Sequence, residues 1–226
     1  MTIEPPITIK VLKIQFPNYD LAPFDIPKFR GAVAHQFSGY ELIHNHLTNG
    51  KLRYKYPLIQ FKVINRTPTI IGLKEGIPVL YEVFMTISEM EIAQQKHTIW
   101  EKSLLMAEEP IGQTQDWHRY RFLSPWMALK EENYDTYRQL DPIEAQVFLR
   151  HLLRENLKTI TKGLGYWITD IDQVQVEGFF HPLNRNFKNN RMICFTGEFT
   201  VNFRIPDYLG IGKQVARGFG TIERTK

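Results

Sequence analysis

At 226 residues the chain can bury one large core or two small ones, and its 43% hydrophobic and 23% charged content excludes disorder as a starting assumption. No apolar run approaches the roughly 20 residues that cross a bilayer, and the start MTIEPPITIKVLKIQF lacks the regions of a signal peptide, so a cytoplasmic protein without a membrane partner is expected. Cys194 is the single cysteine, which rules out intramolecular disulfides and multi-cysteine zinc sites; the net charge is a modest +4.

ITIKVLKIQF opens as a strand, Ile7, Ile9 and Val11 alternating with polar residues before the apolar phase slips to Leu12, Ile14 and Phe16, as a bulge would make it. Residues 17–27 are rich in Pro, Asp and Asn and read as a loop, and KFRGAVAHQF opens a short helix. LIQFKVI alternates as a strand and TPTIIGL is its hairpin partner across residues 65–68. In GIPVLYEVFMTI, Ile77, Leu80, Phe84 and Ile87 recur at helical spacing with Pro78 in the first turn. HTIWEKSLLM and HRYRFLSPWMAL are weaker strands. The order β, short α, β, β, α, β is that of a ferredoxin-like sandwich.

LDPIEAQVFLRHLLRENLKTITKGLG carries the strongest helix signal. Asp141 is a good N-cap, Pro142 suits the first turn, Glu144 lies three after the cap, and Gly163 or Gly165 can end it. Its apolar stripe includes Val147, Leu149, Leu152, Leu153, Leu157 and Ile160. The strands ITDIDQVQVEGFF and MICFTGEFTVNF follow, joined by the turn-like HPLNRNFKNNR, and GFGTIE closes the chain. A boundary near 131–136 therefore separates two similar halves, although no residue-level repeat is visible.

Charge is unevenly spread. Residues 26–66 hold seven Lys and Arg against one acid, Glu41, and residues 179–226 hold eight against three, with net acidic stretches between. Two basic segments brought together would attract phosphate, whereas apart they are solvated faces. The first supplies Lys28, Arg30, Lys51, Arg53 and Lys55; the second, through HPLNRNFKNNR, supplies Arg185, Lys188 and Arg191 at a hairpin tip suited to a nucleic-acid backbone. GIGKQVARGFG crowds Gly210, Gly212, Gly218 and Gly220 around Lys213 and Arg217. Such glycines let backbone N–H groups approach a phosphate, but neither a Walker motif nor a dinucleotide fingerprint is present, and loops of this kind are more often structural.

IHNHLTNGKLRYKYPLIQFKVI places His44 and His46 one residue apart, ahead of a basic, tyrosine-studded run. His-x-His is a zinc spacing, yet a third ligand, an HExxH and an acidic cluster are all missing, so no metal or other cofactor is expected. Two loop histidines without a role remain an alternative. The third reading is acid/base chemistry. Metal-free RNA cleavage deprotonates a ribose 2′-OH, protonates the departing 5′-oxygen and stabilises added charge on phosphorus. Two imidazoles supply the first two functions near neutral pH. Lys51, Arg53 or Lys55 can supply the third, and Tyr54 can orient a group or donate a proton.

FRGAVAHQF, IHNHLTNGKLRYKYPLIQFKVI, YRFLSPWMALKEENY and FTGEFTVNFRIPDYLGIGKQVARGFG together resemble the CRISPR-associated endoribonucleases that process precursor CRISPR RNA, the sixth Cas family of the RAMP superfamily. The branch they resemble is the one found with type I-B systems. The resemblance implies an α+β chain of two tandem ferredoxin-like (RRM-like) domains, placed here at 1–132 and 133–226. It also implies metal-independent cleavage within CRISPR repeats, leaving a 2′,3′-cyclic phosphate and a 5′-hydroxyl, with retention of the product guide RNA. It gives His44 and His46 the acid/base roles and implicates a tyrosine: Tyr54 foremost, with Tyr40 and Tyr56 as alternatives. Gly210, Gly212, Lys213, Arg217, Gly218 and Gly220 carry over as an RNA-backbone contact and domain-packing element. CRISPR repeat RNA is the expected partner rather than DNA. Other Cas effector subunits and a second copy of the chain are candidate partners. A RAMP-type RNA-binding subunit that does not cut is the alternative from another class, and a metal-dependent hydrolase a third.

Overall fold

The computed structural model describes residues 4–44, 56–92, 95–187 and 190–225. The chain forms two compact units, one of residues 9–109 with 215–218, the other of residues 1–8, 110–214 and 219–226. The sequence reading put the division at 132/133. In the structure it falls at 109/110, within a single 20-residue strand that the local pattern had split in two.

In the N-terminal unit β1 (Ile7–Gln15), α1 (Ile26–Gln36), the one-turn helix α2 (Glu41–His44), β2 (Ile59–Ile64), β3 (Thr67–Leu73) and α3 (Gly76–Thr86) follow in order. A short hairpin, β4 (Glu89–Ile92) with β5 (Gln95–Thr98), precedes β6 (Ser103–Phe122). Without α2 and the β4–β5 hairpin, this is the βαββαβ order of a ferredoxin-like domain. β3 lies between β2 and β1, antiparallel to both. The β2–β3 turn is two residues, Asn65 and Arg66, both at positive φ (49° and 66°), which matches the twist of the strands it joins. The register from Val11 to Gln15 against β3 has no shift, so the expected bulge is absent there; Val11 and Leu12 are both buried because the strand is covered on both faces.

The core of this unit packs Leu12 and Ile14 of β1, and Phe16 just after it, against Phe29 and Val33 of α1, Phe61 of β2, and Leu80 and Val83 of α3. Phe29 stands edge-on to both Phe16 and Phe61, at centroid separations of 5.8 and 5.4 Å. α3 buries Leu80, and Ile87 just past its end is buried too, as the helical spacing predicts; Val83 joins them, while Ile77 and Phe84 are only partly buried.

The C-terminal unit takes the rest of β6, then α4 (Glu131–Gln139), α5 (Pro142–Leu164), β7 (Val176–Phe187), β8 (Asn190–Arg204) and β9 (Ile222–Arg224). β8 lies between β7 and β6, and β9 pairs with the end of β6. α5 begins as its sequence demands. The Asp141 carboxylate accepts from the N–H groups of Ile143 and Glu144, both at 2.8 Å, while Glu144 reaches back to Asp141 N–H at 3.1 Å. Such a capping box contributes about 1 kcal/mol. Gly165 closes the helix at φ 91°. Leu149, Leu152, Leu153, Leu157, Ile160 and Leu164 are buried, but Val147, expected in the same stripe, is 55% exposed. The Gln146 amide bonds both the N–H and the C=O of Phe180, each at 2.9 Å, tying the helix to β7. Phe122, Trp126, Phe180, Phe195 and Phe199 form an aromatic core on which Phe122 and Trp126 stack at 5.3 Å.

The basic segment expected at a hairpin tip does lie there, with its ladder running almost to the turn. β7 and β8 stay paired from Val176↔Val201 to Phe187↔Asn190, so Arg185 and Arg191 stand on strands. Among the described residues no helix is long and apolar enough to cross a membrane.

Candidate active site

His44 is the last residue of α2, which is fastened at two points. Ile43, 1% exposed, enters the core of the N-terminal unit. On the backbone side, Arg30 Nη2 donates to the carbonyls of Ile43 (3.0 Å) and His44 (2.8 Å). The terminal carbonyls of a helix have no partner within it, so a guanidinium here satisfies groups that would otherwise be orphaned. The half-buried His44 ring keeps a buried Nε2 with no hydrogen-bond partner among the described residues, and Arg30 Nε is in the same condition. A polar atom buried in this way is costly unless it serves a ligand or a reaction.

His46, Tyr54, Lys51, Arg53 and Lys55 lie outside the described residues, as does Lys188. Of the alternative tyrosines, Tyr56 is buried and Tyr40 is exposed beside Phe37. Lys28 of α1 is paired with Asp25, the residue before the helix, at 2.8 Å. Arg185 donates to the neighbouring Asn184 carbonyl at 3.1 Å.

The glycine-rich segment divides between the units. Residues 215–218, including the tight turn Val215–Arg217, belong with the N-terminal unit. Two observations place them there. Lys62 on β2, wholly buried, extends its ammonium to the Val215 carbonyl at 3.2 Å. Gly218 (φ 86°) lies so close to Ile26 that a Cβ would come within 2.3 Å of its Cδ1. Arg217 follows in the same turn, near enough that its charge, after burial, helps pull the Arg30 guanidinium below its usual range. The segment 215–218 and the helix α1 that holds α2 therefore share one electropositive neighbourhood.

Gly210, Gly212, Lys213 and Gly220 stay in the C-terminal unit. Gly210 bridges to Thr221. Gly212 (φ 90°) leaves no room for a side chain, since a Cβ would sit 2.7 Å from both Met127 O and Trp126 Nε1. Gly220 (φ 62°) is tighter, with Ile211 O 1.9 Å from the Cβ position. Lys213 donates its backbone N–H to Met127 O at 3.0 Å. Its ammonium is pushed below its usual range by burial and then by Lys130, against the opposing pull of Glu131 and Glu132. Lys62 and the attachment of Arg30 to α2 were missed by the sequence reading. The one available hint was a lysine within a strand that is apolar apart from it and Gln60.

Both units have a ferredoxin-like α+β form. Family models match the whole span: the Cas6b N-terminal domain over residues 7–110 and the Cas6b C-terminal domain over residues 112–225. A crystal structure of Cas6b is 37% identical, with a TM-score of 0.92 over 97% of this chain and 100% of that one. A second, of the CRISPR RNA processing endoribonuclease Cas6b, is 33% identical, with a TM-score of 0.79 over the same shares. Uncharacterized protein MJ0978 of Methanocaldococcus jannaschii is 32% identical over 148 residues, 64% of this chain and 98% of the relative. The chain belongs to the Cas6b family.

Proposed function

We propose that the chain is an endoribonuclease that cuts precursor CRISPR RNA within its repeats without a metal ion, by attack of the ribose 2′-OH on the adjacent phosphorus. The observation that carries this reading is His44: an imidazole at the end of a doubly anchored helical turn, with a buried Nε2 that has no partner among the described residues, in a chain of the Cas6b family. One histidine of the pair His44 and His46 removes the 2′-OH proton as the oxygen bonds to phosphorus. The other protonates the 5′-oxygen as its bond to phosphorus breaks. The products are a 2′,3′-cyclic phosphate and a 5′-hydroxyl. Lys51, Arg53 and Lys55 oppose the charge that builds on the phosphoryl oxygens, and Tyr54 orients the reacting group. With Glu41 the sole acid in residues 26–66, carboxylate ligation of Mg²⁺ has little to draw on there.

RNA binding falls to Lys28, Arg185, Lys188 and Arg191 and to the segment of Gly210, Gly212, Lys213, Arg217, Gly218 and Gly220. The cytoplasm is the proposed location, with retention of the guide RNA after the cut. The test is a repeat RNA incubated with the protein in EDTA, with the ends of the fragments analysed. Cleavage to cyclic phosphate and 5′-hydroxyl is expected; a strict requirement for a divalent ion, or a 3′-hydroxyl product, would refute the mechanism.

A further inference from the structure

We infer that Arg30 is a positioning residue for His44 rather than a phosphate contact. The inference rests on the acid/base role proposed for His44. A helix of four residues is marginal by itself, because nucleation fixes several residues for a single hydrogen bond. α2 therefore keeps its place through external attachments. Ile43 supplies one, through its side chain in the core, and Arg30 the other, with one nitrogen bridging the carbonyls of Ile43 and His44. The second attachment acts on the residue that carries the imidazole.

Among the described residues the imidazole Nε2 has no hydrogen-bond partner, and the backbone that carries the ring is bonded by Arg30. Arg30 is also poorly placed for RNA. Its Nη2 is engaged by two carbonyls and its Nε is buried. No carboxylate among the described residues lies within ion-pair distance of it. A guanidinium held without a countercharge, beside the like charge of Arg217, is an expensive way to fasten a loop. It is an intelligible one where the residue so fastened must sit within an ångström of a reacting atom.

The test is a double-mutant cycle on single-turnover cleavage of a repeat RNA, with affinity measured on a 2′-deoxy version of the same RNA. Arg30→Ala is expected to slow cleavage at saturating enzyme about 10- to 100-fold, with affinity and its salt dependence unchanged. Arg30→Lys, which keeps the cation and a donor for one carbonyl, is expected to recover part of the rate. In the His44→Ala background, Arg30→Ala should add no further loss, because its effect passes through the missing ring. If Arg30→Ala fails to fold, Arg30→Lys carries the same cycle. Weakened binding with a normal saturating rate, or a full additional loss in the His44→Ala background, would overturn the inference. His44→Ala slow with Arg30→Ala normal overturns the inference alone, whereas His44→Ala cleaving at the parental rate overturns the proposed mechanism along with it.

Discussion

Lys62 offers the sharpest test of the N-terminal unit. Its side chain is fully buried on β2, its ammonium has the Val215 carbonyl as acceptor, and burial drops its pKa from 10.5 to about 7. The unfolded chain therefore holds this proton up to about pH 10.5 and the folded chain only to about pH 7, so stability is lost as pH falls between those values. The slope is at most about 1.4 kcal/mol per pH unit, and the full span amounts to on the order of 4–5 kcal/mol. Lys62→Met removes the titration and leaves the Val215 carbonyl without its donor, which costs about 1–3 kcal/mol. Urea unfolding of both proteins at pH 6, 7, 8 and 9 should show the parental stability rising by about 2 kcal/mol between pH 7 and pH 9 relative to Lys62→Met. The variant should be the more stable of the two at pH 6. Parallel stability curves would mean that no lysine is buried there, and would remove the observed anchor of residues 215–218.

His44→Ala and His46→Ala should each slow repeat cleavage by about 10²–10⁴-fold with little change in RNA affinity, measured in single-turnover assays beside a binding titration; a substrate with 2′-deoxyribose at the cut should bind and persist. Gly220→Ala should lower stability by on the order of 3 kcal/mol, because its Cβ would lie 1.9 Å from Ile211 O at φ 62°. By contrast Gly31→Ala, in α1 with nothing within 4 Å of the added carbon, should raise stability by about 0.5–1 kcal/mol; thermal melts distinguish the two directly. Replacing Lys213 and Arg217 together by Ala should weaken RNA binding and reduce the slope of log K against log salt by about 1–1.5, and an unchanged slope would place the RNA elsewhere.

Elements whose causes are local were legible in the sequence. α5 carries its own start and stop in Asp141, Pro142, Glu144 and Gly165, and α3 shows its buried face as helical spacing. α4 buries no residue at all, so periodicity had nothing to reveal it. β6 reads as two weak strands because its register shifts between Gln113 and His118, where an alternating pattern breaks. Residues 184–191 resemble a loop by composition, yet they pair through backbone groups that side-chain chemistry does not report. Strand alternation assigns Lys62 and Gln60 to solvent, but both are buried, and it is Val215, 153 positions away, that receives the lysine. His44 was legible as a candidate because a paired histidine is chemically conspicuous. Its support by Arg30 was not, because a hydrogen bond between a side chain and a carbonyl 14 residues on leaves no mark in composition or spacing.

Residues 215–218 complete the unit built from residues 9–109, and residues 1–8 join the unit built from 110–214 and 219–226. Each unit thus borrows a short segment from the opposite end of the chain, and this imposes an order on synthesis. While the polypeptide is still emerging from the ribosome, the unit that carries His44 has most of its core but not the carbonyl that receives Lys62. Closing a loop across so long a separation is a late and slow event. The histidine-bearing unit is finished only after residue 218 has been made, so truncated chains that include every candidate catalytic residue would still lack the segment that completes their fold.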